Sequence, residues 1–152
     1  MKTDIEKILC ATDFSASSDH ALQYALVLAS RFGASVELLH VTEVSAYAQN
    51  QTEDGGESYE KRLLARLRAM ADSIETDVSI ETHLAAGVPY IEIINRSKAL
   101  PADLIVIGTH GRTGMKHLLI GSVAEKVVRT ASCPVLSVRH PDHAVAIEGT
   151  AL

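Results

Sequence analysis

The sequence predicts an α/β domain built on a parallel sheet, with helices covering both faces. Two observations carry that prediction. Short runs of Val, Ile and Leu alternate along the chain with longer segments of helical period, an order that implies parallel strands joined by right-handed crossovers. The core material agrees. Apolar residues make up 47% of the sequence, yet aromatics only 4%, and Trp is absent. The interior must be assembled from Ala, Val, Ile and Leu, as buried parallel strands are.

Each element has its own signal. Ile5 to Thr12 holds an apolar run that ends in polar residues, and reads as a buried strand. Ser15 to Ser18 offer N-cap candidates. Leu22, Ala25, Leu26, Ala29 and Phe32 then recur at helical spacing from Asp19 to Phe32, with Gly33 as the stop. Ser35 to Val41 is a second strand. Residues 42–57 are polar, carry Gly55-Gly56 and show no period, so they read as a surface loop. Ser58 to Ile74 sets Leu63, Leu64, Leu67, Met70, Ala71 and Ile74 on one helical face. Asp77 to Leu84 alternates apolar and polar residues, which suits an edge strand. Gly87 and Pro89 mark a turn and a helix start, and Ile91, Ile94 and Ala99 are expected to line that helix up to Leu100. Leu104 to Ile107 is the most apolar strand and is expected to be central. A short helix from Ser122 to Thr130, with Val123, Val127 and Val128, precedes a last strand from Pro134 to Val138.

With 152 residues the chain fits one domain, assigned to residues 1–140, followed by a tail at 141–152. A formal net charge of −5 speaks against binding nucleic acid through bulk electrostatics, though not against a local anion site. Cys10 and Cys133 are far apart and in no metal-like spacing, so both are expected to be buried or half-buried thiols of a reducing compartment. The opening MKTDIEKILCATDF runs directly into a strand pattern without an apolar leader, and no apolar run approaches about 20 residues. A cytoplasmic protein that does not enter a membrane is therefore expected.

The segment that carries chemistry runs from Gly108 to Ser122, GTHGRTGMKHLLIGS. It follows an apolar strand and opens a helix. Open α/β sheets bind ligands beyond the carboxyl ends of their strands, where the strand order reverses. Glycines there let backbone approach a ligand, and the free N–H groups of a helix start favour phosphate. Ser122 adds a hydroxyl, and Arg112 either a cationic fork or a solvated surface charge. The parts of a polyphosphate cradle are present. A Walker-type Gly-Lys-Ser/Thr triplet is absent, as is GxGxxG after the first and fourth strands. His110 and His117 lack a partnered carboxylate in the motif, which weakens a general-base reading. His140 and His143 stand three residues apart in the tail, too thin a signal by itself for a metal site. A second segment, Thr12-Asp13-Phe14-Ser15, ends the first strand. Its Asp13 reads by itself more readily as a helix cap than as an acceptor for ribose or adenine donors, and gains specificity when paired with the glycine loop.

Taken together, these residues resemble the nucleotide-binding branch of the universal stress protein family. Gly108, Gly111, Gly121 and Ser122 match that family's loop spacing of Gly, two residues, Gly, nine residues, Gly, then Ser or Thr. The resemblance runs from Ile5 to Val138. It takes in the Thr12-Asp13-Phe14-Ser15 opening, His40-Val41, Gly87-x-Pro89, the strand at Asp103 to Gly108, and Cys133-Pro134-Val135. It implies a five-stranded parallel sheet in the order 3-2-1-4-5, Rossmann-like, with Asp13 facing Gly108 across a crevice. It also implies a pocket for ATP, ADP or AMP, with a divalent ion such as Mg2+ on the phosphates. Thr12 and Asp13 would lie by the ribose or adenine, Val41 at the adenine edge and Gly108 against the ribose. Gly111, Arg112, Gly121, Ser122 and Val123 would hold the phosphates. A stress-response role and a homodimer joined through Val135 to Val138 are further implications. The chain departs from the family at Ala11, where Pro is frequent, and at the extra Gly114 in the loop. Without a Walker lysine, a nucleotide-responsive protein is expected rather than an enzyme. Slow ATP hydrolysis and a nucleotide-free interaction module are the alternatives.

Overall fold

The computed structural model describes residues 4–43, 58–110 and 121–140. Its sheet has five parallel strands in the order β3-β2-β1-β4-β5, as the family resemblance implies. In chain order the elements are β1 (Lys7–Ala11), α1 (Ala16–Phe32), β2 (Ser35–Thr42), α2 (Tyr59–Asp72), β3 (Ile80–Ala86), α3 (Pro89–Ala99), β4 (Leu104–Gly108), α4 (Ser122–Thr130) and β5 (Val135–Val138).

The two-residue period of the strands sorts their side chains into two apolar layers. Ile8, Cys10, Val36, Leu38, Leu104, Val106 and Val138 face α1 and α2, where Ala21, Leu22, Ala25, Ala29 and Leu67 meet them. Leu9, Leu39, Ile105 and Ile107 face the other way, onto Ile93 and Ile94 of α3 and Ala124 and Val127 of α4. Both faces of β1 and β4 are thus sealed from water, which is why their sequences run apolar without alternation. Ala21, Ala25 and Ala29 repeat every fourth position and are at most 1% exposed, so α1 presents a seam of small residues to the sheet. Burial raises the thiol of Cys10, in this layer, to about 12.

Local chemistry sets the helix ends. Ser15 caps α1, accepting from Ser18 N–H at 3.2 Å, so the helix begins at Ala16, before the expected Asp19. Gly33 closes it at φ +67, a conformation that costs glycine little. Ser58 caps α2 through Lys61 N–H at 3.2 Å, and Pro89 opens α3 as its first residue. Residues 44–57, most of the expected loop, and the 141–152 tail lie outside the described residues.

Leu104 to Ile107 is an interior strand, as expected, with β1 and β5 on either side. Two expectations need correction. The strand expected from Asp77 starts at Ile80, because its partner β2 begins at Ser35 and the register pairs Val36 with Ile80. In α3, Ile91 and Ala99 are exposed, and the buried stripe is Ile93, Ile94 and Ser97. In this phase the helix also carries Arg96 to β2.

There it meets Glu37, a carboxylate only 4% exposed in the layer between sheet and α3. Arg96 Nε donates to both carboxylate oxygens at 3.0 and 2.9 Å, and a terminal nitrogen donates to Oε1 at 2.6 Å. Hydrogen bonding to Glu37 strengthens the hold of Arg96 on its proton against the opposing effect of burial. Arg96→Ala would leave a buried carboxylate without its fork, and breaking such a pair costs about 3 kcal/mol or more. Urea unfolding should show a loss of that size, with a smaller loss for Arg96→Lys, which keeps the charge but not the fork.

Candidate functional site

β1 and β4 lie side by side, yet α1 leaves β1 toward one face and α4 leaves β4 toward the other. A crevice opens between the departing chains. Its cavity measures about 490 Å³ and collects the carboxyl ends of β1, β2 and β4, in the size range of small-molecule sites. Ala11, Leu39, Val41, Ile93 and Ile107 form an apolar floor, while Asp13, Glu43, Thr109 and Ser122 bring polar groups to its rim.

The wall after β1 is held from several directions. Thr12 N–H continues the β1–β2 ladder by donating to Leu39 O at 2.8 Å. Its hydroxyl lies 3.1 Å from Ser18 Oγ and accepts from Phe14 N–H at 3.0 Å. Asp13 Oδ1 accepts from Ser15 N–H at 3.0 Å. Of its two readings, the helix cap therefore goes to Ser15, and Asp13 braces the turn while lining the crevice. Phe14 takes φ +65, unusual for a side chain of its size. Its ring is held between His40, 4.5 Å away, and the guanidinium of Arg66, 4.0 Å from the ring centre. His40 Nδ1 lies 2.8 Å from Thr12 O. A carbonyl only accepts, so this nitrogen carries the proton. Asp19, nearby on α1, has its carboxyl raised by burial and by the charge of Asp13, with Arg66 opposing.

The opposite wall is β4, its exit and the start of α4. Thr109 N–H donates to Val138 O at 3.0 Å, and Gly121 N–H donates to Thr109 O, which draws the two ends of the intervening segment together. Gly121 is the N-cap residue of α4 and supplies no side-chain cap. The first N–H groups of the helix, on Ser122, Val123 and Ala124, have no partner within the helix and border the crevice. His110 is buried, with Nδ1 2.9 Å from the Thr109 hydroxyl.

Of the residues expected at the site, Thr12, Asp13, Val41, Gly108, Gly121, Ser122 and Val123 all line this one crevice. Gly111 and Arg112 lie outside the described residues. The sequence reading gave no site role to His40, Tyr59, Pro89, Ile93 or Thr109, which also line it. For His40 and Thr109 a signal existed, since each stands at the carboxyl end of a strand. Tyr59 and Ile93 come from helices whose orientation no local pattern reveals. Among the described residues, no group of three or more His, Cys, Asp or Glu is arranged to hold a metal ion, and no helix is long and apolar enough to cross a membrane.

The model of the universal stress protein family matches residues 4–139. This chain belongs to the universal stress protein family. Universal stress protein MJ0531 of Methanocaldococcus jannaschii is 38% identical over 143 residues, spanning 90% of this chain and 83% of that protein. The solved structure of MJ0577, from the same organism, has a TM-score of 0.75 at 27% identity and covers 90% of this chain and 96% of its own. A universal stress protein in complex with cAMP has a TM-score of 0.69 at 23% identity over 90% and 98% of the two chains. At that identity the likeness is one of fold.

Gly108 shows how closely the site is built. A Cβ on it would stand 2.7 Å from Ser17 Oγ and 3.0 Å from Ser17 O, below van der Waals contact, so Gly108→Ala must displace α1 or β4. The expected loss is about 1–3 kcal/mol in urea unfolding. Ser17 Oγ is buried and has no hydrogen-bond partner among the described residues, so Ser17→Ala alone should cost little. Added to Gly108→Ala it should restore only part of the loss, because the backbone contact stays. A Gly108→Ala protein as stable as wild type would contradict this packing.

Proposed function

We propose that this universal stress protein binds an adenine nucleotide, ATP, ADP or AMP, in the crevice between β1 and β4, and acts as a nucleotide-responsive regulator in a stress response. The observation that carries the reading is the convergence on one cavity of an acceptor at the end of β1 (Asp13), a close-approach glycine at the end of β4 (Gly108) and the uncapped start of α4 (Gly121 to Val123). The apolar floor suits a flat base. Asp13 suits a ribose hydroxyl or an adenine amino group, and the α4 N–H groups suit phosphate. Gly111 and Arg112 belong to the same proposal on the spacing of the sequence, with Mg2+ as the counter-ion of the phosphates. The family relative solved with cAMP illustrates that this fold accepts an adenine nucleotide.

The proposal is of a binder rather than a rapid enzyme. The sequence has no Gly-Lys-Ser/Thr triplet, so the lysine that a P-loop brings to the β- and γ-phosphates is missing. Steady-state hydrolysis should stay well below about 1 s⁻¹, the lower end for working enzymes.

Calorimetry with Mg-ATP tests the site. Asp13→Ala removes a hydrogen bond to a charged group, worth about 1.5–3 kcal/mol, and should weaken binding about tenfold to a hundredfold. Ser122→Ala should cost severalfold. Equal affinities in wild type and both variants would sink the assignment, and mass spectrometry of the molecule that co-purifies would name the physiological ligand.

We propose, too, that the protein is a homodimer joined along β5, with a cytoplasmic location. β5 is the edge of the sheet. It gives Pro134 O and Val138 O to β4, and the alternation of a parallel ladder turns the N–H groups of Val135 and Ser137 outward. Ser137→Pro removes one outward donor and spares the inner ladder. Sedimentation equilibrium should show a dimer for wild type and a monomer for this variant; dimers from both would rule out pairing along this edge.

A further inference from the structure

β2 gives its backbone groups to its two neighbours in alternation. Thr42 O accepts from Gly87 N–H at 2.9 Å, on the β3 side, and Leu39 O accepts from Thr12 N–H at 2.8 Å, on the β1 side. Val41 stands two residues beyond Leu39, so its N–H and C=O also face the β1 side. In a regular parallel ladder the next rung would run from Val41 N–H to Thr12 O. Among the described residues that rung is missing. The paired register stops at Ala11 and Leu39, and Thr12 O lies 2.8 Å from the protonated Nδ1 of His40 instead. A side chain of β2 thus takes the carbonyl that the backbone of β2 would otherwise hold.

The substitute is itself well held. His40 is buried, and its ring packs 4.5 Å from that of Phe14. By alternation it shares a face with Val36 and Leu38, whose side chains enter the apolar layer under α1 and α2. It is the one polar member of that run, placed where the strand reaches the crevice. Both His40 and Val41 line the cavity.

We infer that His40 is a positioning residue of the crevice. By holding the Thr12 carbonyl it ends the β1–β2 ladder one rung early, and so keeps the Val41 N–H turned to the cavity as a donor for an acceptor atom on a planar base. Closing the rung would remove that donor and draw β1 and β2 together at the mouth. The identity of the occupant rests on the adenine-nucleotide reading above; the effect of His40 on the ladder does not.

NMR and amide hydrogen exchange on the nucleotide-free full chain test the role directly. In wild type the proton of the His40 ring should sit on Nδ1, and the Val41 amide should exchange at least about tenfold faster than that of Leu39, which lies within the ladder. His40→Phe keeps a ring beside Phe14 but removes the donor. The Val41 amide should then slow at least about tenfold as it takes Thr12 O, the reverse of the acceleration that a general loss of stability brings. His40→Asn, whose side-chain amide can donate from near the place of Nδ1, should restore fast exchange. In calorimetry with Mg-ATP, His40→Phe should weaken binding about tenfold and His40→Asn should recover most of the loss. A Val41 amide as protected as Leu39 in wild type, or one that His40→Phe speeds or leaves unchanged, would overturn the inference. So would full affinity in His40→Phe beside weakened affinity in Asp13→Ala. The expected exchange pattern together with Mg-ATP binding that neither Asp13→Ala nor His40→Phe disturbs would instead overturn the nucleotide reading and leave the effect of His40 on the ladder standing.

Discussion

The site depends on one topological constraint: two neighbouring parallel strands send their chains to opposite faces of the sheet. Right-handed crossovers leave no other arrangement. To reach β2 on one side of β1, the chain must cross the face that α1 covers. To reach β5 on the other side of β4, it must cross the face that α4 covers. The gap between them is not excavated from a core. It exists because the chain cannot close it, and so the residues that border it, Asp13 and Gly108 above all, are those at which each strand ends.

Such a gap is useful only if its walls stay in place, and the wall after β1 shows how that is done. Successive residues are each held by a different device. Thr12 is fixed by the β2 ladder and by its hydroxyl, and Asp13 by its bond to Ser15 N–H. Phe14 is held between His40 and Arg66. The left-handed backbone at Phe14 costs about 1–3 kcal/mol, so the stacking of its ring is part of what offsets that strain. Arg66 belongs to α2, which gives that helix a part in shaping the crevice although most of its buried surface faces the sheet. The other wall is set by contact distance. The alanine seam of α1 and the absence of a Cβ at Gly108 let helix and strand approach within the space a single methyl group would fill.

What the sequence made legible follows from this division of labour. Alternation of strand and helix was plain because burial on both faces forces Leu104 to Ile107 and Ile8 to Cys10 to be apolar throughout. Ser15 is one of several N-cap candidates in the sequence and Ser58 signals only a helix start, but Gly33 and Pro89 were plain because they act on their immediate neighbours. The phase of α3 was not. It goes with the pairing of Arg96 to Glu37, 59 residues away in sequence, and a glutamate inside a strand gives no local sign that it is buried. Asp13, Gly108, Gly121 and Ser122 could be picked out because they stand where strands end and a helix starts and, for the glycines and Ser122, because their spacing matches the family's loop. The apolar floor contributed by Ile93, Ile107 and Leu39 could not, because nothing distinguishes those side chains from the rest of the core until the helices are docked.

The charges around the crevice fix the sense in which a nucleotide of the proposed kind would lie. Asp13 stands at one wall with Asp19 close behind it, and Glu43 lies at the end of β2. Phosphates placed against this side would meet like charge in a partly desolvated space, which costs more than it would in bulk water. The opposite wall offers the positive end of the α4 dipole and N–H groups without helical partners. An anionic tail is therefore driven toward Gly121 and Ser122. The neutral, hydrogen-bonding end of the molecule is left to Asp13 and the apolar floor. The polarity of the site thus comes from two features with separate causes, an acidic strand end and a helix start. Because they oppose each other across a single cavity, a ligand needs both a neutral donor end and an anionic end to satisfy the whole of it, and an isolated phosphate or an isolated base would satisfy only half.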